Sequence, residues 1–160
     1  MPKIILVLLI TVIVLGGCKT NMVPYEAGNA DSPCKVLIAG EDSEFKRNVV
    51  TRVIEVLGTE ECFFRVIGLN KIQEQETEQY NAILLITSYR AGRLDRRVTR
   101  YLSKDPPKTK TILFYTGGSD DPMPEKNKPN IQVDAVSSAS NDSRVDERAA
   151  QLVSLLEQRF

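Results

Sequence analysis

Short apolar runs alternate along this chain with segments in which apolar residues recur every three or four positions. The runs lack the strict alternation of apolar and polar residues that is typical of a strand with one solvent-exposed face. This pattern predicts strands that are buried on both sides of a parallel sheet. Four such strands are predicted, at residues 35–39, 62–69, 82–86 and 111–115. A fifth, at 131–136, is predicted after a proline-punctuated loop at 117–130.

Helical spacing of apolar residues predicts three helices that cover this sheet. The first begins near Ser43 and ends at Gly58, the second covers 93–104, and the third begins at Ser143. The polar segment 70–79 has room for only a few helical turns. The alternation of strands and helices predicts an α/β three-layer sandwich with a parallel sheet of about five strands in the order 2-1-3-4-5.

The first 17 residues are expected to form a signal peptide that precedes the domain. Lys3 is followed by an apolar stretch at 4–15, which is shorter than the roughly 20 residues of a membrane-spanning helix. The sequence Leu-Gly-Gly-Cys that ends at Cys18 resembles the bacterial lipobox. This resemblance implies cleavage before Cys18 and acyl chains on that residue, which would attach the protein to a membrane. In enterobacterial lipoproteins, a residue other than aspartate after the lipidated cysteine implies the outer membrane, so this resemblance and Lys19 favour the outer membrane, facing the periplasm, over the inner membrane or the cell surface.

Residues 18–33 are rich in Asn, Gly, Ala, Ser and Pro and lack periodicity, which predicts a lipidated flexible tether before a single domain at 34–160. Cys34 precedes the first predicted strand and Cys62 opens the second. Because neighbouring parallel strands start side by side, a disulfide between these cysteines is geometrically plausible. Export to an oxidising compartment favours this disulfide over two buried free thiols.

The charge balance and the absence of histidine narrow the functions that are open to the chain. It has 21 basic side chains, 21 acidic side chains and no histidine. A neutral protein has no bulk attraction to nucleic acid, so no nucleic-acid partner is expected. Without histidine, Ser-His-Asp and Cys-His catalysis are excluded, and we predict no catalytic residue and no metal site.

Five basic residues of the second predicted helix would share one face, because they lie three, four, seven and eleven positions after the first. They are Arg93, Arg96, Arg97, Arg100 and Lys104. Such a strip is either a solvated outer face or the contact for an anionic partner, such as another envelope protein or an anionic polymer. Arginine pairs well with phosphates and carboxylates.

The segment YNAILLITSYRAGRLDRRV, at 80–98, resembles the third strand and following loop of flavodoxins. With the flanking strands and helices, the resemblance spans most of residues 35–118. It implies a site for FMN at the carboxyl ends of the strands, with the phosphate held by a Ser/Thr- and Gly-rich loop. The residues that would form a ligand or flavin site here are Ser43, Thr87, Ser88, Tyr89, Arg90, Thr116, Gly117 and Gly118.

The loop at 40–44 departs from the flavodoxin pattern, since its sequence is Gly-Glu-Asp-Ser-Glu. Three carboxylates there would repel a phosphate dianion. We therefore expect no cofactor, and interpret the chain as a non-catalytic binding or assembly module anchored to the membrane through Cys18. One alternative is an FMN-binding electron-transfer protein with an altered phosphate loop. Another is a structural spacer or surface antigen.

Overall fold

A computed structural model describes residues 21–104, 108–124 and 133–160. The predicted signal peptide, the lipid site at Cys18 and the first residues of the predicted tether lie outside these ranges. Within them, no helix is both long enough and apolar enough to cross a membrane.

A mixed sheet of seven strands forms the centre of the described domain. The strands are β1 (Tyr25–Ala27), β2 (Cys34–Gly40), β3 (Cys62–Gly68), β4 (Ala82–Arg90), β5 (Arg93–Leu94), β6 (Thr111–Gly117) and β7 (Asp134–Ala139). Five parallel strands follow the order β3-β2-β4-β6-β7, while β1 and β5 pair antiparallel with β3 and β4. The prediction of an all-parallel sheet of about five strands therefore lacks the two antiparallel strands β1 and β5. The order 2-1-3-4-5 applies only among the parallel strands.

Helices cover both faces of the sheet. They are α1 (Glu44–Leu57), α2 (Arg96–Ser103) and α3 (Val145–Glu157), with short 3-10 helices at Leu69–Glu74 and Lys108–Lys110. Helices α1 and α3 pack together on one face, and α2 and the first 3-10 helix pack on the other. The α/β layering predicted from the sequence is thus present.

Strand β2 shows why the predicted strands have no alternation of apolar and polar residues. Val36 and Ile38 belong to the core beneath α1 and α3. Leu37 and Ala39 belong to the core beneath α2. Because successive side chains point to opposite faces and both faces are covered, the four consecutive positions 36–39 are all apolar.

The predicted disulfide between Cys34 and Cys62 is confirmed. The two residues are register partners at the start of β2 and β3, and their Cα atoms lie 4.6 Å apart. The bond therefore joins the amino ends of two neighbouring parallel strands.

The segment predicted as a flexible tether at 18–33 is part of the fold from Asn21 onward. Met22 is buried, and its backbone N–H donates to the carbonyl of Gly40 at 3.0 Å. Tyr25–Ala27 then forms the edge strand β1. The sequence pattern does not reveal this strand because it has three residues and is held mainly by backbone pairing, which leaves no apolar run.

The second helix begins later than predicted. Arg93 and Leu94 form β5, which folds back on the end of β4 in a tight hairpin. The turn is made by Ala91 and Gly92, both with positive φ. Asp95 then caps α2 by accepting from the backbone N–H of Arg97 at 2.8 Å. The predicted helix over 93–104 is therefore wrong at its first residues.

Two C-terminal predictions also differ from the structure. Strand β7 (Asp134–Ala139) lies about three residues later than the strand predicted at 131–136. Ser143 does not cap α3 through its side chain. Instead Asp142 accepts from the backbone N–H of Arg144, the residue before the helix, at 2.9 Å.

Candidate functional site

The carboxyl ends of the parallel strands meet along one edge of the sheet, which we call the carboxyl edge. Strand β2 leads through α1 to β3 on one side, and its neighbour β4 leads through α2 to β6 on the other side, so the connections from these two adjacent strands leave in opposite directions. Ligands of open α/β sheets bind at such a point. The eight residues predicted for a ligand or flavin site lie at or beside this edge: Ser43, Thr87, Ser88, Tyr89, Arg90, Thr116, Gly117 and Gly118.

A buried network of charged side chains occupies the middle of this edge. Glu41, directly after β2, is 3% exposed, and one carboxylate oxygen lies 3.4 Å from Nζ of Lys46. The other accepts from a guanidinium N–H of Arg97 at 3.1 Å. Lys46 Nζ also donates to Oγ of Ser88 at 2.9 Å, and Arg97 pairs with Asp95 at 2.9 Å. We call these five residues the Glu41 network.

Lys46 and Glu41 are both removed from water, so their charges depend on each other. Burial lowers the pKa of the Lys46 ammonium, the carboxylate of Glu41 raises it, and the guanidinium of Arg90 lowers it further. The net direction is downward. A buried ion pair is held only while both partners and their hydrogen bonds remain, because each isolated charge would carry its full desolvation cost.

The N-terminal segment closes over the Glu41 network. The side-chain carbonyl of Asn21 accepts from a guanidinium N–H of Arg97 at 2.8 Å and from the backbone N–H of Asn70 at 3.1 Å. Asn21 also bridges to Glu41 through the backbone. The Met22 side chain lies against Gly40, where an added Cβ would collide with its sulfur. The start of the domain is therefore fixed on the carboxyl edge.

The loop at 40–44 does not resemble an open phosphate cradle. The backbone N–H of Glu41 donates to the carbonyl of Ile86 at 3.0 Å. Oγ of Ser43 accepts from the backbone N–H of Lys46 at 3.3 Å and so caps α1. The predicted site residue Ser43 thus has a structural role in this arrangement.

Tyr89 and the two predicted glycines line the other side of the carboxyl edge. The Tyr89 ring is half-buried and meets Tyr115 edge to face, with ring centroids 6.1 Å apart. The Gly117 carbonyl accepts from both the backbone N–H and the hydroxyl of Ser140, each at 2.8 Å. An added Cβ at Gly118 would meet open space. Tyr89 is thus packed against its neighbour, and Gly117 anchors the next loop.

Thr87 carries the one feature on this side that favours a ligand. Its side chain is fully buried, and in the described part of the chain its hydroxyl has no hydrogen-bond partner. Buried hydroxyls are nearly always satisfied by protein, water or a ligand.

The predicted basic strip is divided by the fold. Arg93 lies in β5, and Arg97 turns inward to Glu41, so neither belongs to an exposed helix face. Arg96, Arg100 and Lys104 remain exposed on α2. The error follows from the late start of α2, which removes Arg93 from the helical spacing.

A second cluster of charges lies where β7 and α3 meet. Arg148 is buried and pairs with Asp142 and Asp120, each at 3.1 Å. Arg144 binds the same two carboxylates and holds the pKa of Asp142 well below its usual range. Asp120 also accepts from the backbone N–H of Ala139 at 2.8 Å. These contacts fix the loop after β6 to the start of α3.

An apolar groove of about 420 Å³ opens between α1 and the N-terminal segment. Val23 and Tyr25 border it on one side and Val50 and Ile54 on the other. Val23 is 77% exposed. The groove is a place where an apolar group of a partner could be held.

The buried charges are not among the predicted site residues, although the sequence carries a signal for two of them. Lys46 lies three, four and seven residues before Val49, Val50 and Val53, so it shares the apolar face of α1. Arg148 likewise lies on the buried face of α3. A lone cation on an apolar stripe indicates a buried ion pair.

The sequence matches no protein-family model and no curated protein. Solved structures do resemble it. A flavodoxin from the domain Archaea shares 12% identity, with a TM-score of 0.51 over 78% of this chain and 98% of that one. Flavodoxin 2 from Bacillus cereus shares 15%, with a TM-score of 0.52 over 79% and 100%. The Flv1 flavodiiron core from Synechocystis sp. PCC6803 shares 9%, with a TM-score of 0.54; the match covers 81% of this chain and 36% of that one.

Identities this low show the fold and nothing about activity. The helices on both faces of the sheet and the placement of the carboxyl edge agree with the same architecture. The described domain therefore has a flavodoxin-like fold.

Proposed function

We propose that this chain is a membrane-anchored lipoprotein of the cell envelope whose flavodoxin-like domain is a non-catalytic binding or assembly module. The anchor is inferred from the lipobox-like sequence that ends at Cys18. The outer membrane, on its periplasmic side, is the location that Lys19 favours. The binding role is inferred from the described domain.

The buried carboxylate of Glu41 is the observation that supports a role without FMN. In the described domain, two cations, Lys46 and Arg97, face two carboxylates, Glu41 and Asp95, so the network is balanced without a ligand. A phosphate dianion placed beside Glu41 would meet repulsion of about 4 kcal/mol for each pair of unit charges roughly 4 Å apart at an effective dielectric constant of about 20. Asn21 and Met22 also cover the path by which a phosphate group would reach Glu41.

Titration with FMN tests this proposal directly. The full chain, purified from membranes in mild detergent, should show no flavin absorbance and no saturable quenching of added FMN fluorescence. Glu41→Gln removes one repelling charge, and Glu157→Gln is the matched control because Glu157 is exposed at the end of α3, outside the loop at 40–44. Tight FMN binding by the unaltered chain would overturn the proposal.

Lipid attachment is tested separately. Mass spectrometry of the purified chain should show acyl chains on an N-terminal Cys18, and Cys18→Ala should move the protein from the membrane fraction to the soluble fraction. Thr20→Ser is the control, because it changes a neighbouring side chain outside the lipobox. A Cys18→Ala protein that stays bound to the membrane would contradict anchoring by lipid.

The exposed face of α2 and the apolar groove support the binding role. Arg96, Arg100 and Lys104 offer guanidinium and ammonium groups to an acidic envelope protein or polymer. The groove beside Val23 and Tyr25 offers an apolar contact. Crosslinking from Arg100, with the exposed Glu60 in the turn before β3 as a control position outside the groove, should identify partners that contact the α2 face.

An FMN-dependent electron carrier is the second candidate. The flavodoxin-like fold and the unsatisfied hydroxyl of Thr87 favour it. This candidate predicts that FMN binds to the unaltered chain and that Thr87→Val or Tyr89→Ala weakens binding. The same titration therefore separates the two functions.

A further inference from the structure

We infer that the carboxyl edge of the sheet faces the membrane, with the hairpin at Tyr89–Leu94 in contact with anionic lipid headgroups. This inference rests on the proposed lipid at Cys18. It assigns the domain an orientation and gives the hairpin arginines a function.

The N-terminal segment is attached to the domain at the carboxyl edge. Asn21 is held at the carboxyl edge through its contacts with Arg97 and Asn70, at 2.8 Å and 3.1 Å. Met22 is held by its backbone bond to Gly40, the last residue of β2. Asn21 and Met22 therefore lie at this edge of the sheet.

Cys18 is separated from Asn21 by a short length of chain. Only Lys19 and Thr20 lie between Cys18 and Asn21. Three fully extended residues span at most about 11 Å. A seven-residue strand such as β2 is about 23 Å long, so the disulfide at Cys34 lies on the far edge of the domain. A lipid on Cys18 thus holds the carboxyl edge close to the bilayer.

The carboxyl edge presents exposed basic and apolar side chains. Arg90 and Arg93 are exposed and are register partners across the hairpin. Like charges directly opposite each other repel, and a phosphate group between two guanidinium groups would relieve that repulsion. Val23, 77% exposed, adds an apolar side chain next to Met22. Basic and apolar side chains together are suited to a headgroup layer.

Two of the nearby carboxylates are paired within the protein, while the exposed Glu44 and Asp121 lie on other elements than the hairpin. Asp42 pairs with Arg47, and Asp120 pairs with Arg144 within the protein. The consequence is that the candidate ligand site opens toward the bilayer, so a partner that uses it must reach the domain along the membrane surface.

The chain has no tryptophan, which makes a direct test of orientation available. Single tryptophans are placed at Val23 and Gly118 on the carboxyl edge, and at Glu60 in the exposed turn before β3 on the far edge. Each full-length protein, with lipid on Cys18 verified by mass spectrometry, is reconstituted into phosphatidylcholine and phosphatidylglycerol vesicles with brominated acyl chains. The fluorescence of Val23→Trp and Gly118→Trp should be quenched, and the fluorescence of Glu60→Trp should not.

Equal quenching at all three positions, or quenching at Glu60→Trp alone, would overturn the inference. If mass spectrometry finds no lipid on Cys18, the proposed anchor itself fails, and the two failures are thereby distinguished. The arginines are tested in the Val23→Trp background. Arg90→Gln with Arg93→Gln should reduce quenching, whereas Arg96→Gln with Arg100→Gln on α2 should not. An equal effect of both pairs would overturn the role of the hairpin.

Discussion

Replacement of Glu41 by glutamine should destabilise the domain far more than an ordinary surface substitution. Glutamine keeps the shape of the side chain but removes its charge. Lys46 then remains 3% exposed beside a neutral amide, and Arg97 loses one of its carboxylates. The perturbation therefore leaves the buried ammonium group without the negative charge of Glu41, with only neutral oxygens, those of Ser88 and of the new amide, as acceptors among the contacts described above.

The size of the effect can be worked out from the contacts. The two ion pairs of Glu41, at 3.4 Å and 3.1 Å, are each worth about 5 kcal/mol of gross attraction at an effective dielectric constant of about 20. Part of this offsets the desolvation of the carboxylate, and measured losses for breaking one side of a buried pair are about 3–5 kcal/mol. Because Ser88 and Asp95 keep contacts with the two cations, we expect a loss of about 3 kcal/mol.

The assay is urea unfolding at neutral pH, followed by far-ultraviolet circular dichroism, with the disulfide intact. Glu44→Gln is the control, since its carboxylate is exposed in the first turn of α1 and is worth no more than about 1 kcal/mol. Adding Lys46→Met to Glu41→Gln should recover stability, because the buried cation is then removed as well. A loss below about 1 kcal/mol for Glu41→Gln would refute the assignment of Glu41 as a buried counter-ion.

Three changes elsewhere in the domain should also lower its stability. Asp142→Asn should lower the free energy of unfolding at neutral pH. Because the folded-state pKa of Asp142 is depressed, the difference in this free energy from the unaltered protein should shrink as the pH falls below about 4. A series of urea titrations at different pH values measures this difference. Reduction of the bond between Cys34 and Cys62, which closes a loop with a sequence separation of 28, should cost about 3.5 kcal/mol in the chain-entropy model, measured by urea unfolding with and without reductant. Gly28→Ala should lower the thermal midpoint, since Gly28 has φ 89° and an added Cβ would collide with the carbonyl of Cys62; an unchanged midpoint would contradict the position of the N-terminal segment.

The sequence predicts the centre of the fold better than its edges, for a physical reason. Strands such as β2 and β4 are buried on both faces, so burial leaves an apolar run that can be read directly. The edge strand β1 and the two-residue β5 are held by backbone pairing and by the turn at Gly92, which leave little trace in side-chain polarity. The helix start was misplaced for the same reason, although Asp95 is a recognisable cap.

The sequence predicts which residues lie together at the carboxyl edge, but it does not predict how their charges are paired. Parallel strands bring their carboxyl ends together, so Ser88 and Thr116 could be expected to be neighbours, as their register shows. The carboxylate of Glu41 was expected to repel a ligand from the surface, whereas it is buried. Sequence spacing cannot show that Arg97, 56 positions away, supplies part of its compensating charge.

These two features, the buried network and the attachment of the N-terminal segment, depend on each other. Arg97 binds Glu41 with one guanidinium nitrogen and Asn21 with another. Removing the carboxylate would therefore loosen the hold on the segment that leads to Cys18, and removing Asn21 would expose the network to water. The contacts of one side chain, Arg97, thus hold both the N-terminal segment and the buried carboxylate of Glu41 at the carboxyl edge.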